Sequence, residues 1–392
     1  MAITSFGKLF GIVALAALVG TGSQVLGSEG GAEPTPAEQK IQMARVRIER
    51  SPNRYEGHND LAMALAKRAR ETANPDFYVQ AEAALRDSRR IAPGNIEADR
   101  IDVWLLLGRH EFGAALERAR ALNKRVPDDL MSYGMIVDAA VETGRYAEAE
   151  EAAQWMLNMR PGAVPGLTRA AYLRELFGDP EGALELMQTA IDQIHPREAE
   201  ERAWVLTHMS HLELVIGRVD RAQQAAEGAL RLFPGYHYAL AALAAVYEQK
   251  GDHAREAALL GERYTAAPHP ENLFMWAAAL GRAGQTKDRD EKLREFEQQA
   301  RREMTIADNA NRELALYYAD YAGRPAEAVA IMEREAAQRR DLHTLDTYAW
   351  SLYKAGKLQD ARRVATEALS VGTIDPAIRR RAGTILASRE NR

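Results

Sequence analysis

Glycine recurs along this chain at a nearly constant spacing, and this regularity restricts the possible folds more than any other feature. Intervals of 33 to 39 residues separate the successive glycines Gly108, Gly144, Gly178, Gly217, Gly251, Gly284, Gly323 and Gly356. Five residues after most of these glycines stands an alanine, at Ala149, Ala183, Ala222, Ala328 and Ala361. The mean interval of about 35 residues is close to the period of a helix–turn–helix repeat. The chain is therefore expected to be an array of helix pairs.

Each recurring position has a physical reason, which the unit from Gly144 to Pro161 illustrates. Glycine at the end of a helix can adopt the left-handed conformation that a sharp turn needs. Alanine on the inner face, here Ala149, allows two helices to approach closely. Proline cannot continue a helix, so Pro161 ends one unit and begins the next. One such unit is weak support for a repeat, but eight in nearly fixed register are strong support.

The predicted fold is all-α, a right-handed α-solenoid of about nine stacked helix–turn–helix pairs with a capping helix at each end. A single pair cannot bury its apolar face alone, so neighbouring pairs must stack and leave a concave groove. No stretch shows the alternating pattern of a strand. The predicted segments are an export signal (1–27), a flexible linker (28–36), a capping helix (37–51), the solenoid (52–375) and a second capping helix (376–392).

Composition excludes several classes of site. Hydrophobic residues make up 46% and charged residues 27% of the chain, as in an ordered protein, and the net charge is −5. Because nucleic-acid binding normally leaves a basic footprint, no nucleic-acid partner is predicted. Cysteine is absent, so the chain has no disulfide, no thiolate nucleophile and no Cys-based metal site.

Residues 1–27 are predicted to be a cleaved export signal. Lys8 precedes the apolar run Leu9–Val19, and small residues then permit cleavage after Gly27 or after Ser23. An uncleaved membrane anchor is the alternative, although a spanning helix needs about 20 predominantly apolar residues and this run is shorter. A cytosolic N-terminal core helix is the weakest alternative. The protein is accordingly expected to be periplasmic or secreted, or else anchored in the inner membrane.

The first helix of several predicted pairs carries four residues in a fixed order of size. A large apolar residue comes first, a large apolar or aromatic residue second, alanine third, and another large apolar or aromatic residue fourth. Three such sets are Leu240, Leu243, Ala244 and Tyr247; Leu273, Trp276, Ala277 and Leu280; and Leu345, Tyr348, Ala349 and Leu352. Together with the glycine and alanine positions, this pattern resembles the tetratricopeptide repeat family over about residues 52–375. Two units depart from it, since Glu256 stands where Gly251 predicts alanine and the unit after Gly284 has no such alanine.

The resemblance implies that the first helix of each pair lines the concave groove and contacts a partner there. Mapping those positions gives the candidate partner-binding residues Asp99, Asp102, Asp138, Glu142, Tyr172, Glu175, Tyr317, Asp320, Tyr321, His343, Asp346, Trp350 and Tyr353. Acidic and aromatic groups of this kind favour a protein or peptide segment that is basic or of mixed charge. Two interpretations of the aromatic members stay open, namely partner contacts and inter-repeat core. The family's clamp for a C-terminal carboxylate, which uses Lys and Asn, is not matched, because Thr207 and His211, or alternatively Ala241 and Ala245, occupy its positions.

No catalytic motif, phosphate-binding loop or calcium loop is present, and no cofactor, metal or catalytic residue is predicted. His208 and His211 are the only histidines at metal-ligand helical spacing, with Glu213 nearby. Because no third ligand is identifiable, two packed or solvated histidines explain them better than a metal or proton site.

The predicted function is that of an exported scaffold that binds partner segments in its groove, similar to exported bacterial repeat proteins of unassigned role. A membrane-tethered assembly or secretion factor of the cell envelope is the alternative. An enzyme with a site between distant repeats is less favoured, and the chain is predicted not to be an enzyme.

Overall fold

The structure is a computed structural model that describes residues 34–306 and 308–388, and these residues form twenty helices and no strand. The helices of the first half are α1 (Pro36–Arg50), α2 (Tyr55–Thr72), α3 (Asp76–Ile91), α4 (Ile96–Gly108), α5 (Phe112–Arg125), α6 (Leu130–Glu142), α7 (Tyr146–Met159), α8 (Val164–Leu176), α9 (Pro180–Gln193) and α10 (Ala199–Val215). The helices of the second half are α11 (Val219–Leu232), α12 (His237–Lys250), α13 (His253–Ala266), α14 (Pro270–Arg282), α15 (Thr286–Glu303), α16 (Asn311–Asp320), α17 (Pro325–Gln338), α18 (Leu342–Lys354), α19 (Leu358–Leu369) and α20 (Pro376–Ala387).

The helices pack as nine consecutive pairs, from α2–α3 to α18–α19, with α1 and α20 as single helices at the two ends. The predicted all-α solenoid of about nine pairs is therefore confirmed. Thr35 caps the N-terminus of α1: its side chain accepts a hydrogen bond from the backbone N–H of Glu38, and the Glu38 carboxylate accepts one from the backbone N–H of Thr35. The predicted export signal at residues 1–27 lies outside the described residues.

Alanine on the second helix of each pair allows the close approach that the fold requires. The five alanines of the repeat are completely buried, with none of their surface exposed: Ala149, Ala183, Ala222, Ala328 and Ala361. A larger side chain at these positions would force the paired helices apart. Larger residues such as Met156 and Met187 fill the spaces between pairs and are equally buried.

Seven of the eight repeat glycines adopt the left-handed conformation expected of them, for example Gly144 with φ 73°. Gly108 differs, and the expectation for it was wrong. It is the last residue of α4, and the left-handed residue of that turn is His110, with φ 61°. Gly108 is small for another reason, since a Cβ atom there would lie 2.6 Å from the ring of Tyr78. Close packing, not backbone conformation, requires glycine at this position.

The solenoid coils so tightly that pairs about five positions apart along the chain touch each other. The backbone N–H of Arg340 donates to the carbonyl oxygen of Glu142 at 3.2 Å, and that of Leu342 donates to the Tyr146 hydroxyl at 2.9 Å. A Cβ atom on Gly144 would lie 2.9 Å from the Arg340 carbonyl oxygen, so this glycine also permits the close contact. One turn of the superhelix therefore rests directly on the next.

Similar contacts join other parts of the two turns. Arg70 forms an ion pair with Glu200, and His110 Nδ1 lies 3.2 Å from Asp308 Oδ1. Further along, a Cβ atom on Gly372 would lie 3.1 Å from the carbonyl oxygen of Phe177. We call this set of contacts between residues 130 or more positions apart the inter-turn seam.

Replacing Ala149 by arginine tests the assigned register. The Ala149→Arg variant is expected to lose about 1–3 kcal/mol or more of stability, because the side chain overpacks the α6–α7 contact and buries an unpaired charge. Thermal melting followed by circular dichroism measures the loss. Ala147 lies on the same helix and is exposed, so Ala147→Arg is the matched control and should melt like the wild type. Equal melting of both variants and the wild type would contradict the register.

Candidate functional site

The thirteen candidate residues all lie on, or directly after, the first helices of their pairs, namely α4, α6, α8, α16 and α18. The first helices therefore carry these positions, as the repeat implies. Their exposure differs greatly, however, because the inter-turn seam and the neighbouring first helices cover much of the inner surface. The contacts of each residue show which of them can meet a partner.

Two acidic candidates of α6 are buried in ion pairs with other helices. The Asp138 carboxylate accepts hydrogen bonds from the Arg169 guanidinium at 2.9 and 2.6 Å, and both side chains are at most 4% exposed. Glu142, also buried, pairs with Arg339 across the inter-turn seam. Arg339 in turn donates to Asp341 at 2.9 Å. Because a buried charge needs a partner, these contacts hold the fold together.

The candidates of α8 contact two histidines of α10. Glu175 lies 2.5 Å from His208 Nε2 and 2.8 Å from His211 Nε2, and all three side chains are largely buried. Tyr172 is buried and packs edge-on against the His208 ring. The nearest acidic partner of the two histidines is thus Glu175 rather than Glu213. In the part of the chain that the structure describes, no group of three or more His, Asp and Glu side chains could hold a metal ion.

Burial and the neighbouring charges shift the pKa values of Glu175 and His211 in opposite directions. Burial alone would raise the pKa of the Glu175 carboxyl, but His211 and His208 together hold it well below its usual range. Burial lowers the pKa of His208, whereas Glu175 outweighs burial at His211 and raises the pKa there. Near pH 6.5 these opposite shifts favour an ion pair between Glu175 and a protonated His211, with His208 mainly neutral beside it.

On α16 and α18, an aspartate again binds residues one repeat further on. Asp320 accepts hydrogen bonds from the Trp350 indole N–H, at 3.1 Å to each oxygen, and from Lys354 at 3.0 Å. The Trp350 side chain is buried, and Lys354 lies 5.5 Å from its ring centroid. These contacts favour an inter-repeat packing role for Trp350, one of the two interpretations that the sequence left open.

The remaining candidates of α18 differ in exposure. Asp346 is buried and forms an ion pair with Arg381 of α20. His343 is half-buried, and burial lowers its pKa to about 4. Tyr353 is also half-buried and packs beside Trp350, with ring centroids 5.3 Å apart.

Asp99 and Asp102 on α4 are half-buried and form ion pairs with three arginines of the adjoining helices. Arg89 lies 3.3 Å from Asp99 and 3.4 Å from Asp102. Arg125 pairs with Asp99 at 2.6 Å, and Arg118 pairs with Asp102. These exposed arginines largely neutralise the acidic character that the sequence predicts for this end of the groove.

Tyr321 is the most accessible candidate, with 37% of its surface exposed. Its ring stacks on Tyr317 at 6.4 Å between centroids, with an interplanar angle of 19°, and packs edge-on against Phe274 at 6.1 Å. Tyr317 is itself held by a 3.3 Å hydrogen bond to Glu297. Among the described residues, no group forms a hydrogen bond with the Tyr321 hydroxyl. A fixed aromatic ring with a free polar end is a typical contact residue of protein interfaces.

Sequence reasoning missed the partners of the buried acids, although a periodic signal for several of them exists. Arg169, His208, Lys354 and Arg381 follow the acids that they bind by 31 to 35 residues, which is about one repeat. Arg339 could not be found in this way, because it lies 197 residues from Glu142. The spacing of the repeat could therefore have predicted the partners in neighbouring repeats, but it could not have predicted the partners across the seam.

The sequence matches no described protein-family profile and no curated protein. Solved structures do resemble the chain. Human IFIT1, in a dimer with PPP-AAAA, is 11% identical with a TM-score of 0.52, and the likeness covers 86% of this chain and 95% of IFIT1. At this identity the likeness shows the fold alone.

Two further structures show weaker similarity. The APC/C hetero-tetramer Cut9–Hcn1 gives 13% identity and a TM-score of 0.49, covering 88% of this chain but only 58% of that chain. PilW, a widely conserved type IV pilus biogenesis factor, gives 11% identity and a TM-score of 0.44, covering 57% of this chain and 99% of PilW. The likeness to IFIT1 and the nine stacked helix pairs show that the fold of this chain is a solenoid of the tetratricopeptide-repeat type.

The Glu175 group predicts a specific dependence of stability on pH. Because the pKa of His211 is raised above 6.5, its contribution is complete below pH 6.5 and is lost as the pH rises through the folded-state pKa. The depressed pKa of Glu175 gives a contribution that is present above pH 4.5 and is lost as the pH falls. The wild type should therefore exceed His211→Gln in stability most strongly between these pH values. Urea unfolding across the pH range measures the difference, and a constant difference would contradict the ion pair.

The packing of Trp350 leads to a further prediction. Trp350→Ala should lose about 3–5 kcal/mol of stability, because it leaves a cavity and removes a hydrogen bond from Asp320. Trp350→Phe keeps most of the ring and leaves Asp320 bound to Lys354, so it should lose clearly less. Thermal melting of the two variants provides the comparison. If Trp350→Ala melted like the wild type, the residue would be a surface contact and not part of the packing.

Proposed function

We propose that this protein is a binding scaffold that holds a partner protein or peptide segment at an aromatic patch on α16 and α18. The patch consists of the exposed ring of Tyr321 and the half-buried ring of Tyr353, which are supported from within by the buried rings of Tyr317 and Trp350. It belongs to the candidate surface that the repeat implies, and it contains the most accessible candidate residue. The more deeply buried candidates, such as Asp138 and Asp346, support the scaffold from within.

The exposure of Tyr321 is the observation that carries this proposal. The ring is 37% exposed, although Phe274 and Tyr317 fix its orientation from below. Binding would bury the rest of the ring at a low cost in side-chain entropy, because the packing already restricts its rotamer. Aromatic anchors of this type contribute much of the binding energy in protein interfaces.

The charges around Tyr321 indicate the chemistry of the partner. Arg282 and Arg289 lie close enough to lower its pKa and Asp320 close enough to raise it, while burial, the largest effect, gives a raised pKa overall. Both signs of charge thus surround the ring. A segment of mixed charge with an apolar or aromatic residue would fit this surface.

A protein partner is favoured over nucleic acid. The IFIT1 structure contains PPP-AAAA, so a repeat of this fold can be found with RNA. In the present chain, however, the net charge is −5, and arginines of the inner surface such as Arg169, Arg339 and Arg381 are paired with carboxylates. Phosphate binding needs cationic groups that are free to contact the backbone of the nucleic acid.

We infer further that the scaffold works outside the cytoplasm, in the bacterial periplasm or cell envelope. The support is the apolar run Leu9–Val19, which lies outside the described residues. Within residues 34–306 and 308–388, no helix is long and apolar enough to cross a membrane. Attachment through an uncleaved N-terminal segment is the alternative form of the same proposal, and catalysis between distant repeats is the least favoured.

Partner capture tests the aromatic patch. The tagged protein is cross-linked in the envelope fraction, and the captured proteins are identified by mass spectrometry for the wild type and for Tyr321→Ala. The variant should lose at least about tenfold of its reproducible partner, the equivalent of about 1.4 kcal/mol, because an interface anchor is removed. Its melting temperature should change little, since the ring is partly exposed.

Trp155 provides the matched control. It is 50% exposed and stacks on Tyr133 at 6.1 Å, but it lies on α7, the second helix of its pair, and is not one of the patch residues. Trp155→Ala should capture the partner as the wild type does. Loss of capture in Trp155→Ala with retention in Tyr321→Ala would place the contact elsewhere and contradict the proposal. Recovery of RNA in place of protein would contradict the assigned class of partner.

A further inference from the structure

A polar cavity of about 100 Å³ lies where the two turns of the superhelix meet. Arg70 and Tyr78 line it from the first turn, and Trp204, His237 and Arg263 line it from helices further along the chain. Since one water occupies about 30 Å³ of the liquid, the space is sufficient for about three waters or for one small polar molecule. We call this space the seam cavity.

Arg263 is a buried cation without adequate compensation. Its side chain is 4% exposed, and the Glu271 carboxylate is 4.0 Å from Nη2, which is too long for a hydrogen bond. Nη1 contacts the Met275 sulfur at 2.8 Å, and buried Nε makes no hydrogen bond within the described part of the chain. Burial lowers the pKa of Arg263, which reflects the same lack of a close anionic partner. An anion in the cavity would supply that partner.

Arg70 offers a second donor to the same space. Its guanidinium forms an ion pair with Glu200, but its buried Nε has no hydrogen-bond partner among the residues that the structure describes. Two arginines that line the cavity from different turns of the superhelix thus each have a buried Nε–H group without an acceptor among the described residues. Oxygen atoms of an oxyanion are the natural acceptors for such groups.

His237 supplies an acceptor. Its Nε2 lies 3.0 Å from the backbone carbonyl oxygen of Arg70 and must carry the proton of that hydrogen bond, because a carbonyl oxygen can only accept. Burial, followed by the charge of Arg263, lowers the pKa of His237 to about 4, so the ring is neutral near neutral pH. Buried Nδ1 is therefore an acceptor, and none of the described residues donates to it.

We propose that the seam cavity binds one small monoanion that also carries a hydroxyl group, such as a 2-hydroxycarboxylate or dihydrogen phosphate. The charged oxygens of the ligand accept hydrogen bonds from Arg263 and Arg70, and its hydroxyl donates to Nδ1 of His237. This ligand satisfies donors and acceptor together, whereas a simple carboxylate would leave His237 without a donor.

The other side chains at the cavity limit the charge and size of the ligand. Asp308 and Glu271 also line the space, so a polyanion would be repelled. The aromatic rings of Tyr78, Trp204 and Tyr238 form part of the walls, and a volume of about 100 Å³ leaves no room for a long chain. A compact ligand with a single negative charge is consistent with these constraints.

The position of the cavity gives the ligand a structural effect. Because both turns contribute side chains, the complete site exists only while the inter-turn seam is closed. A ligand that binds the closed form and not the open form stabilises the closed form by mass action. This site is independent of the aromatic patch, so either proposal can fail without the other.

Isothermal titration of the full-length protein at about pH 6 tests the site, with sodium glycolate, sodium acetate and sodium phosphate as probes at matched ionic strength. Glycolate should bind at one site, at least about tenfold more tightly than acetate, because acetate has no hydroxyl to donate to His237. The tighter of glycolate and phosphate identifies the class of ligand. A saturable rise in melting temperature with the same probes is the second readout.

Three variants complete the test. Arg263→Gln should weaken glycolate binding at least about tenfold, and His237→Phe should remove the difference between glycolate and acetate. Arg334→Gln is the control, since Arg334 is exposed on α17 and forms no contact with the cavity. If Arg263→Gln does not fold, the comparison of glycolate with acetate binding in the wild type and in His237→Phe still tests the proposal. The proposal is overturned if neither glycolate nor phosphate shows saturable binding, if acetate equals glycolate, or if a folded Arg263→Gln binds as the wild type does.

Discussion

The contact between successive turns of the superhelix is the constraint on which the rest of this structure depends. A solenoid of helix pairs needs only contacts between neighbours to bury its apolar faces. Here the coil is tight enough for the backbone of Glu142 to accept a hydrogen bond from Arg340, nearly two hundred residues away. This closure covers much of the inner surface that an open solenoid would present to a partner. Tyr321, the most accessible of the candidate residues, lies on the C-terminal pairs.

Closure also places many charged groups in an environment of low dielectric, where each needs a partner. The first helices meet this requirement with pairs such as Asp138–Arg169 and Asp346–Arg381, each joining neighbouring repeats. Removing one member of such a pair is costly because it leaves the other charge buried and unpaired. We therefore regard these pairs as determinants of the distance and angle between successive helix pairs. Arg263 is an exception, since the nearest carboxylate in the described part of the chain, that of Glu271, is 4.0 Å away and too far for a hydrogen bond.

The two binding surfaces that we propose differ in chemistry. The aromatic patch is partly exposed, is surrounded by charges of both signs and can receive a macromolecular segment at Tyr321. The seam cavity is small and is lined by polar and aromatic side chains from both turns, so it can hold only a compact molecule. The first surface depends on the exposed ends of the first helices, whereas the second exists only because the superhelix closes. A scaffold with both would hold its partner outside and a small ligand within its own seam.

The sequence by itself determined the architecture, because a local and periodic requirement acts at every repeat. Glycine at a left-handed turn and alanine at a close helix contact are needed again every 35 residues or so, as Gly144 and Ala149 show, so their spacing predicts the helix pairs. The backbone conformation of Gly108 was predicted wrongly, because glycine is needed there for close packing against Tyr78 and not for a left-handed turn. The same periodicity assigned Glu142 and Trp350 to the inner face but gave no measure of their burial. Only the tertiary structure decided which inner residues are accessible, because the pitch of the superhelix brings together residues such as Glu142 and Arg339 that no repeat spacing relates. Pitch is the sum of many small packing angles, and no single residue in the sequence encodes it.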